Sequence, residues 1–213
     1  MSAIAPRALI SSPRRTANVV RTRLSLDERR EHLLNATIEL IREQSVAAVT
    51  MDRVKDRTNV SRSLLYNHFD SVDDLLFTVF KRLVGQLDQH TVAASRGAVG
   101  FEAKVHAAVH AQFEFEHTNG AVFGELLQWL STAWFKPALF HRMHVFEHWT
   151  SALIAEFRLP SDVAGSLAHV PVAAIEPLIH AWRQGQLQRA TAQALATQFV
   201  LAGLREAATA RAR

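Results

Sequence analysis

An all-α fold follows from three features of the 213-residue sequence. Apolar residues recur at three- and four-residue intervals almost throughout, no segment keeps the two-residue alternation of a strand, and the breaks between apolar stripes fall at capping and helix-stopping residues. The composition suits a chain with a real core, since 48% of the residues are apolar, as in ordinary globular proteins of one or two domains. With no cysteine, neither disulfides nor thiolate metal sites are available, and nothing points to secretion. Residues 1–23 hold only a short apolar stretch interrupted by arginine and proline, which makes a poor signal peptide. No uninterrupted apolar run approaches membrane-spanning length, so a cytoplasmic protein without a membrane partner is expected.

Charge divides unevenly along the chain. Residues 1–70 carry 12 lysines and arginines against 8 acids, whereas residues 71–213 carry 12 of each. The first 26 residues contain Arg7, Arg14, Arg15, Arg21 and Arg23 and no acid. A flexible basic arm over residues 1–24 is expected, able to sample phosphates or to act as a solvated tail.

The first helix is announced by Ser25-Leu26-Asp27-Glu28, an S-x-x-E capping box. Leu33, Leu34, Ile38 and Ile41 follow at helical spacing and predict a helix over about 26–44. Thr50 caps a second, short helix whose inner face is Met51 and Val54 and which ends near Thr58. Asn59 suits the left-handed conformation of a tight turn. A third helix starts at Ser61 and buries Leu65 and Phe69, leaving Arg62, Ser63, Leu64, Tyr66, Asn67 and His68 mostly outside. Two short helices joined by a tight turn, the second with an exposed polar face, form a helix-turn-helix. A solvated surface helix would ordinarily use glutamate and lysine in those places. Hydroxyl, amide, guanidinium and imidazole groups instead suit base edges and phosphate oxygens in a major groove.

The segment Leu33–Leu76 resembles the DNA-binding domain of the TetR family of transcriptional regulators. The resemblance lies in LLNATIELI, VTMDRV, NVSRSLLYNHF and DSVDDLL. It implies a DNA-binding domain over 25–70, followed over 71–213 by a larger helical domain that binds an effector and dimerises. Thr50 and Arg53 are then expected at phosphates, Ser61 at the helix start, and Arg62 and Ser63 at bases, with Leu64 available for a thymine methyl. Tyr66 and His68 are expected to fix register on the backbone, and Asn67 to contact either. Asn59 and Ser45 stand where the family usually has glycine, and Val72 where it often has a phosphate-binding lysine. Lys55 occupies a usually small position, and nothing in the sequence accounts for it.

Beyond residue 70 the apolar stripe of Val72, Leu75, Leu76, Val79, Leu83 and Leu87 predicts a long connecting helix over about 71–93. Further helices are expected over 101–117, 121–131, 137–158, 162–184 and 190–210, with breaks at Thr118-Asn119-Gly120, Pro137, Pro160 and Gly185. Pro171 and Pro177 should kink the helix that contains them. AAIEPLIHAWRQG, near 173–185, is the one segment here with a family flavour.

Phe113, Phe115, Phe123, Trp129, Trp134, Phe135, Phe140, Phe146 and Trp149 crowd one stretch. They are read either as core or as the lining of a cavity for a flat or greasy effector held by Phe113, Trp129, Phe140 and His144. A stripe of Ala192, Leu195, Ala196, Phe199, Val200, Gly203 and Leu204 is expected to meet Val163, Leu167, Val170 and Ala174 in a four-helix dimer interface, unless a lone domain buries it internally.

His144-Val145-Phe146-Glu147-His148 reads H-x-x-E-H, an inverted zinc-peptidase motif with His141 nearby. The match is short, no third ligand is identifiable, and the α/β signals of such peptidases are missing. Glu114 to His117 supplies one E-x-x-H, where a di-iron bundle needs two. Metal or haem sensing without catalysis stands ahead of a hydrolase using His144, Glu147 and His148, and structural histidines stand ahead of both. The expectation is a non-enzymatic, homodimeric repressor that binds a palindromic double-stranded DNA operator, needs no cofactor or metal, and is released by a small apolar or aromatic effector.

Overall fold

The computed structural model describes residues 25–130 and 143–210. The expected basic arm, Trp134, Phe135, Phe140 and His141 lie outside the described residues, as does the His144 side chain. Among the described residues every regular element is helical: α1 (Leu26–Glu43), a 3-10 turn (Val46–Ala48), α2 (Met51–Thr58), α3 (Arg62–Tyr66), α4 (Val72–Arg96), α5 (Phe101–Trp129), α6 (Met143–Phe157), α7 (Ser161–Leu167), α8 (Val170–Arg183) and α9 (Arg189–Ala210).

The first four helices start where hydroxyl groups accept their free N–H bonds. At α1 the capping box closes in both directions: Glu28 N–H donates to Ser25 Oγ at 3.2 Å, and Ser25 N–H donates to the Glu28 carboxylate at 2.7 Å. The Ser25 backbone N–H, and after it the Ser25 hydroxyl, hold the Glu28 carboxyl below the usual range. Thr50, Ser61 and Ser71 cap α2, α3 and α4 in the same manner, at 3.1–3.2 Å. Between α2 and α3 the chain turns at Asn59, with φ 52° and ψ 37°, a left-handed conformation that asparagine tolerates better than most residues.

Packing gathers the apolar faces into two cores. The first joins Leu33, Leu34, Ile38, Val54, Leu65 and Phe69 of the N-terminal helices to Leu75–Leu87 of α4 and to Phe115, Phe123 and Leu126 of α5. Phe80 of α4 stacks on Phe123 of α5 with ring centroids 5.6 Å apart. The second core takes the other half of α5, including Phe101, Val105, Val109 and Phe113, and joins it to α6–α9. Phe113 stacks on Trp182 of α8 at 5.5 Å, and Phe101 meets Phe157 of α6 edge-on at 5.0 Å. Helix α5 therefore runs through both cores, α4 reaches the second only through the partly buried Val92, and the two form the most extensive helix pair among the described residues.

Two element boundaries differ from expectation. Thr118-Asn119-Gly120 does not break the chain, and α5 continues through it. Thr118 and Asn119 turn their side chains back onto the carbonyls of Glu114 and Phe115, and the glycine is required by packing. A Cβ at Gly120 would stand 2.9 Å from the Glu116 carboxylate, and one at Gly124 only 2.2 Å from the Arg183 guanidinium. Arg183 reaches across from the end of α8 and lies against bare α5 backbone, 4.0 Å from the buried Glu116. Tertiary packing has overridden a local helix-breaking signal.

The second difference lies over 162–184, where one kinked helix was expected. The chain forms α7 and α8 instead, broken at Ala168-His169, with Pro171 in the first turn of α8, where a missing N–H costs nothing. Pro177 stays inside α8. Ser161–Arg183 taken together is long and apolar enough to cross a membrane by length and composition alone, although it forms two helices. Ala164, Ala168, Ile175 and Ile179 from this stretch belong to the second core.

The αL conformation at Asn59 sets the angle between α2 and α3. Asn59→Ala is expected to destabilise the protein by about 1 kcal/mol, and Asn59→Gly to leave stability unchanged or raise it slightly. Urea denaturation of the two variants beside the wild type checks the order.

Candidate functional site

Helix α3 has only five residues, and its position depends on its neighbours. Leu65 and Phe69 are fully buried against α1, α2 and α4, so the opposite face is held outward. The backbone carries the helix geometry past its end, with Phe69 N–H donating to Leu65 O at 3.1 Å. Arg62, Ser63, Tyr66 and Asn67 are exposed, and Leu64 is half-buried. The Arg62 guanidinium lies 5.7 Å from the Tyr66 ring and 3.8 Å from Asp52, so it is poised over the exposed face without a close ion pair. The hydroxyls of Thr50 and Ser61 accept from backbone N–H groups as caps and keep their own O–H free to donate.

Two of the expected DNA-contact residues, the exposed Arg53 and the half-buried His68, also lie against the protein's own groups. Arg53 donates to Gln44 and, at 3.2 Å, to the carbonyl of Ala48, bracing α2 against the preceding turn. His68 is half-buried, and its Nε2 is enclosed without a hydrogen-bond partner. The carbonyl of His68 accepts from Arg30 at 3.2 Å, and Arg30 also stacks over the Phe69 ring at 4.8 Å.

Arg30 and three other braces carry no motif. Arg57 grips Glu43 with two bonds of 2.7 and 2.6 Å, tying α2 to α1 and holding the Glu43 carboxyl below the usual range. Glu31 of α1 pairs with Arg82 of α4 at 3.0 Å. The Glu125 carboxylate of α5 accepts the N–H of Val46 at 3.1 Å, so α5 holds the turn that leads into α2. Only the apposition of distant helices shows such partners.

The two described residues of the expected effector lining lie apart, with Phe140 and the His144 side chain outside the described residues. Phe113 belongs to the second core and stacks on Trp182, whereas Trp129 packs against the first core. The interior shows a different feature, a run of buried polar residues beyond the first core. Of the eight buried polar residues among the described residues, five sit on α4 and α5, at Asp88, Thr91, Ser95, Gln112 and Glu116. They face α6 and α8 as well, Ser95 toward His148 and Glu116 toward Arg183, and this run forms a polar seam. Polar groups so placed inside a helical core lower stability unless they are satisfied, which makes the seam a candidate for function.

The histidine motif also divides. Glu147 is exposed, while His148 faces α4 and its Nε2 lies 3.0 Å from Ser95 Oγ. Among the described residues no three histidine, aspartate or glutamate side chains are placed to hold a metal ion. Glu114 of the E-x-x-H segment is bonded to Arg189 of α9, which holds its carboxyl below the usual range.

The expected dimer stripe is split by α9's own packing. Ala192, Ala196, Val200 and Leu204 are buried in the second core, and Val163, Leu167 and Ala174 pack partly against it. Phe199 is 67% exposed, and Leu195 and Val170 are each 42% exposed. Gly203 is exposed beside them.

A helix-turn-helix with an outward polar helix, mounted on a larger all-α body, defines the class of helical DNA-binding regulators. Comparison with known proteins gives the family. The profile of bacterial regulatory proteins of the tetR family matches residues 33–79. The regulator BetI of Paraburkholderia xenovorans is 31% identical over 163 residues, 75% of this chain and 82% of BetI. The transcriptional activator FasR of Mycolicibacterium smegmatis is 38% identical over 98 residues, 46% of this chain and 45% of FasR. A tetR-family regulator from Streptomyces coelicolor shares the fold, with a TM-score of 0.65 at 18% identity, over 88% of this chain and 85% of its own. The chain belongs to the tetR family and is a DNA-binding transcriptional regulator. Proteins of this family bind DNA and small effectors and are typically dimers; the family is not known for enzymes.

His148 gives a test of the packing between α6 and α4. Burial first, then the charges of Arg96 and Lys104, push its pKa below the ordinary histidine value. As pH falls through about 6.5, the unfolded chain takes up a proton that folded His148 resists. This contribution is complete above that pH and is lost below it. Relative to His148→Gln, the wild type is expected to lose stability between about pH 7 and 5 and to run parallel above that range. Urea midpoints of both proteins across pH check the sign.

Proposed function

We propose that this protein is a homodimeric repressor that reads a palindromic operator with α3 and is released from it by a small-molecule effector. The observation that carries the reading is the outward face of α3: Arg62, Ser63, Tyr66 and Asn67 are exposed on a helix anchored by the buried Leu65 and Phe69. Such a face serves no packing purpose and has the dimensions and chemistry of a major-groove reader. Arg62 and Ser63 contact bases, Leu64 meets a thymine methyl, and Tyr66, Asn67 and Thr50 fix the register on phosphates. Arg53, exposed and also bonded to the Ala48 carbonyl, and the half-buried His68 add to the phosphate contacts.

Dimerisation supplies the second reader, since one short helix spans too few base pairs to define a site. Phe199, Leu195, Val170 and Gly203 form the surface for it, a patch of exposed apolar and small residues on α8 and α9. Activation is the second reading of the regulatory mode, favoured by the similarity to FasR, whose name describes an activator. Transcript levels of the genes beside the mapped binding sites separate the two modes, rising on deletion of a repressor and falling on deletion of an activator.

Gel-shift titration on the mapped operator tests the reader. Arg62→Ala is expected to weaken specific binding by about tenfold to a hundredfold and to relax preference at the bases it faces. Tyr66→Phe should weaken binding evenly across sequences. Equal wild-type affinity for operator and scrambled DNA would contradict the assignment. Phe199→Asp, with its charge in the proposed interface, is expected to sediment as a helical monomer with operator binding lost; an intact dimer would move the interface elsewhere.

A further inference from the structure

The second core contains a small cavity of about 30 Å3 beside the buried polar residues of α4 and α5, room for a single water. Thr91 of α4, Val109 and Gln112 of α5, Trp149 of α6, Ile175 of α8 and Val200 of α9 are among its walls. Gln112 is 5% exposed, and its amide nitrogen has no hydrogen-bond partner among the described residues. The Thr91 hydroxyl donates to the Leu87 carbonyl at 3.0 Å, so it faces its surroundings with lone pairs only. A buried amide with unused donors forfeits solvation that packing does not return. Leucine or methionine would fill the same volume at no such cost, which marks Gln112 as a group kept for a ligand. Among the described residues no lysine, arginine, histidine or carboxylate lines the cavity, and an ionised ligand would meet no counterpart among them.

We propose that this cavity is the closed form of a binding site for a neutral, mainly apolar small molecule that carries a hydrogen-bond acceptor, such as a carbonyl oxygen, received by the Gln112 amide. This rests on the effector-responsive reading above and specifies the chemistry of the effector. The cavity must widen to admit such a molecule, and the seam between α4 and α6 is where it opens. Val145 and Trp149 on the inner side of α6 wall the cavity. Glu147, His148 and Ser151 on its outer side border an open groove of about 670 Å3 against α4. The His148–Ser95 hydrogen bond spans that seam. Displacing α6 toward the groove enlarges the cavity, and because α4 and α5 also build the core under the reader, a ligand that holds the seam open biases the reader's position.

The test uses the full-length protein and a panel of neutral ketones of about six to ten carbons, each paired with the hydrocarbon in which C=CH2 replaces C=O. Calorimetry gives the affinities, and the Gln112 side-chain amide, assigned by its loss from the NMR spectrum of Gln112→Leu, reports contact. At least one ketone is expected to bind at least tenfold tighter than its hydrocarbon partner and to shift the Gln112 signal. In Gln112→Leu and Gln112→Met, both checked for folding by circular dichroism, the preference should fall below twofold. Absence of binding by every ketone, which leaves a lone water as the occupant, overturns the proposal, as does a ketone preference that survives both substitutions. Operator release is scored separately. A ketone bound through Gln112 that leaves DNA in place refutes the effector reading and upholds the site, whereas release by compounds indifferent to Gln112 refutes the site and upholds the effector reading.

Discussion

The DNA reader has no hydrophobic core of its own. Leu65 and Phe69, which orient the recognition helix, are buried in a cluster completed by Leu75–Leu87 of α4 and by Phe115, Phe123 and Leu126 of α5. A three-helix unit of this size buries too little apolar surface to be robust alone, and the shared core supplies the remainder. Its consequence is mechanical. Close-packed interiors deform little, so α1, α2 and α3 follow the first half of α4 and the second half of α5 as one body. The Glu31–Arg82 pair and the Glu125 bond to the Val46 amide reinforce that union at its edges.

The first half of α5 belongs to the second core, with α6–α9, and α4 meets that core at Val92. Beyond the first core the buried faces of these two helices turn polar, at Asp88, Thr91 and Ser95 of α4 and Gln112 and Glu116 of α5, with Ser95 meeting His148 of α6 and Glu116 lying by Arg183 of α8. A seam of this kind resists sliding less than interlocked leucines do, because hydrogen bonds can exchange partners where apolar knobs must unseat. The structure therefore places its most adaptable layer between the part that reads DNA and the part that carries the exposed Phe199 surface. A ligand in the seam acts on DNA affinity only through its preference for one arrangement of the cores, and DNA must in turn act on the ligand's affinity by the same factor.

Local signals made the reader legible in the sequence. The capping box at Ser25, the caps at Thr50 and Ser61, the αL asparagine and the Leu65–Phe69 spacing each work within a few residues, and all five hold. What escaped depends on distant partners. Thr118-Asn119-Gly120 reads as a break until Arg183 is seen lying on Gly120 and Gly124. The stripe on α9 was wide enough to face two ways, and the sequence could not divide Ala192, Ala196 and Val200, which the chain buries, from Leu195 and Phe199, which it leaves outside. Nothing local marks Gln112 and Glu116 as buried, because polar side chains are usually exposed. Conversely, aromatics close in sequence looked like one pocket, yet Phe113 and Trp129 serve different cores.

Native-state hydrogen exchange in increasing urea measures the shared core most directly, since it resolves which segments open together. If the reader and the helices beneath it are one body, amides around Leu34, Val54, Leu83 and Phe123 converge on a single opening free energy. A reader that opens on its own, with α1 and α2 amides exchanging through a separate and lower-energy transition while Leu83 and Phe123 stay protected, would contradict the account.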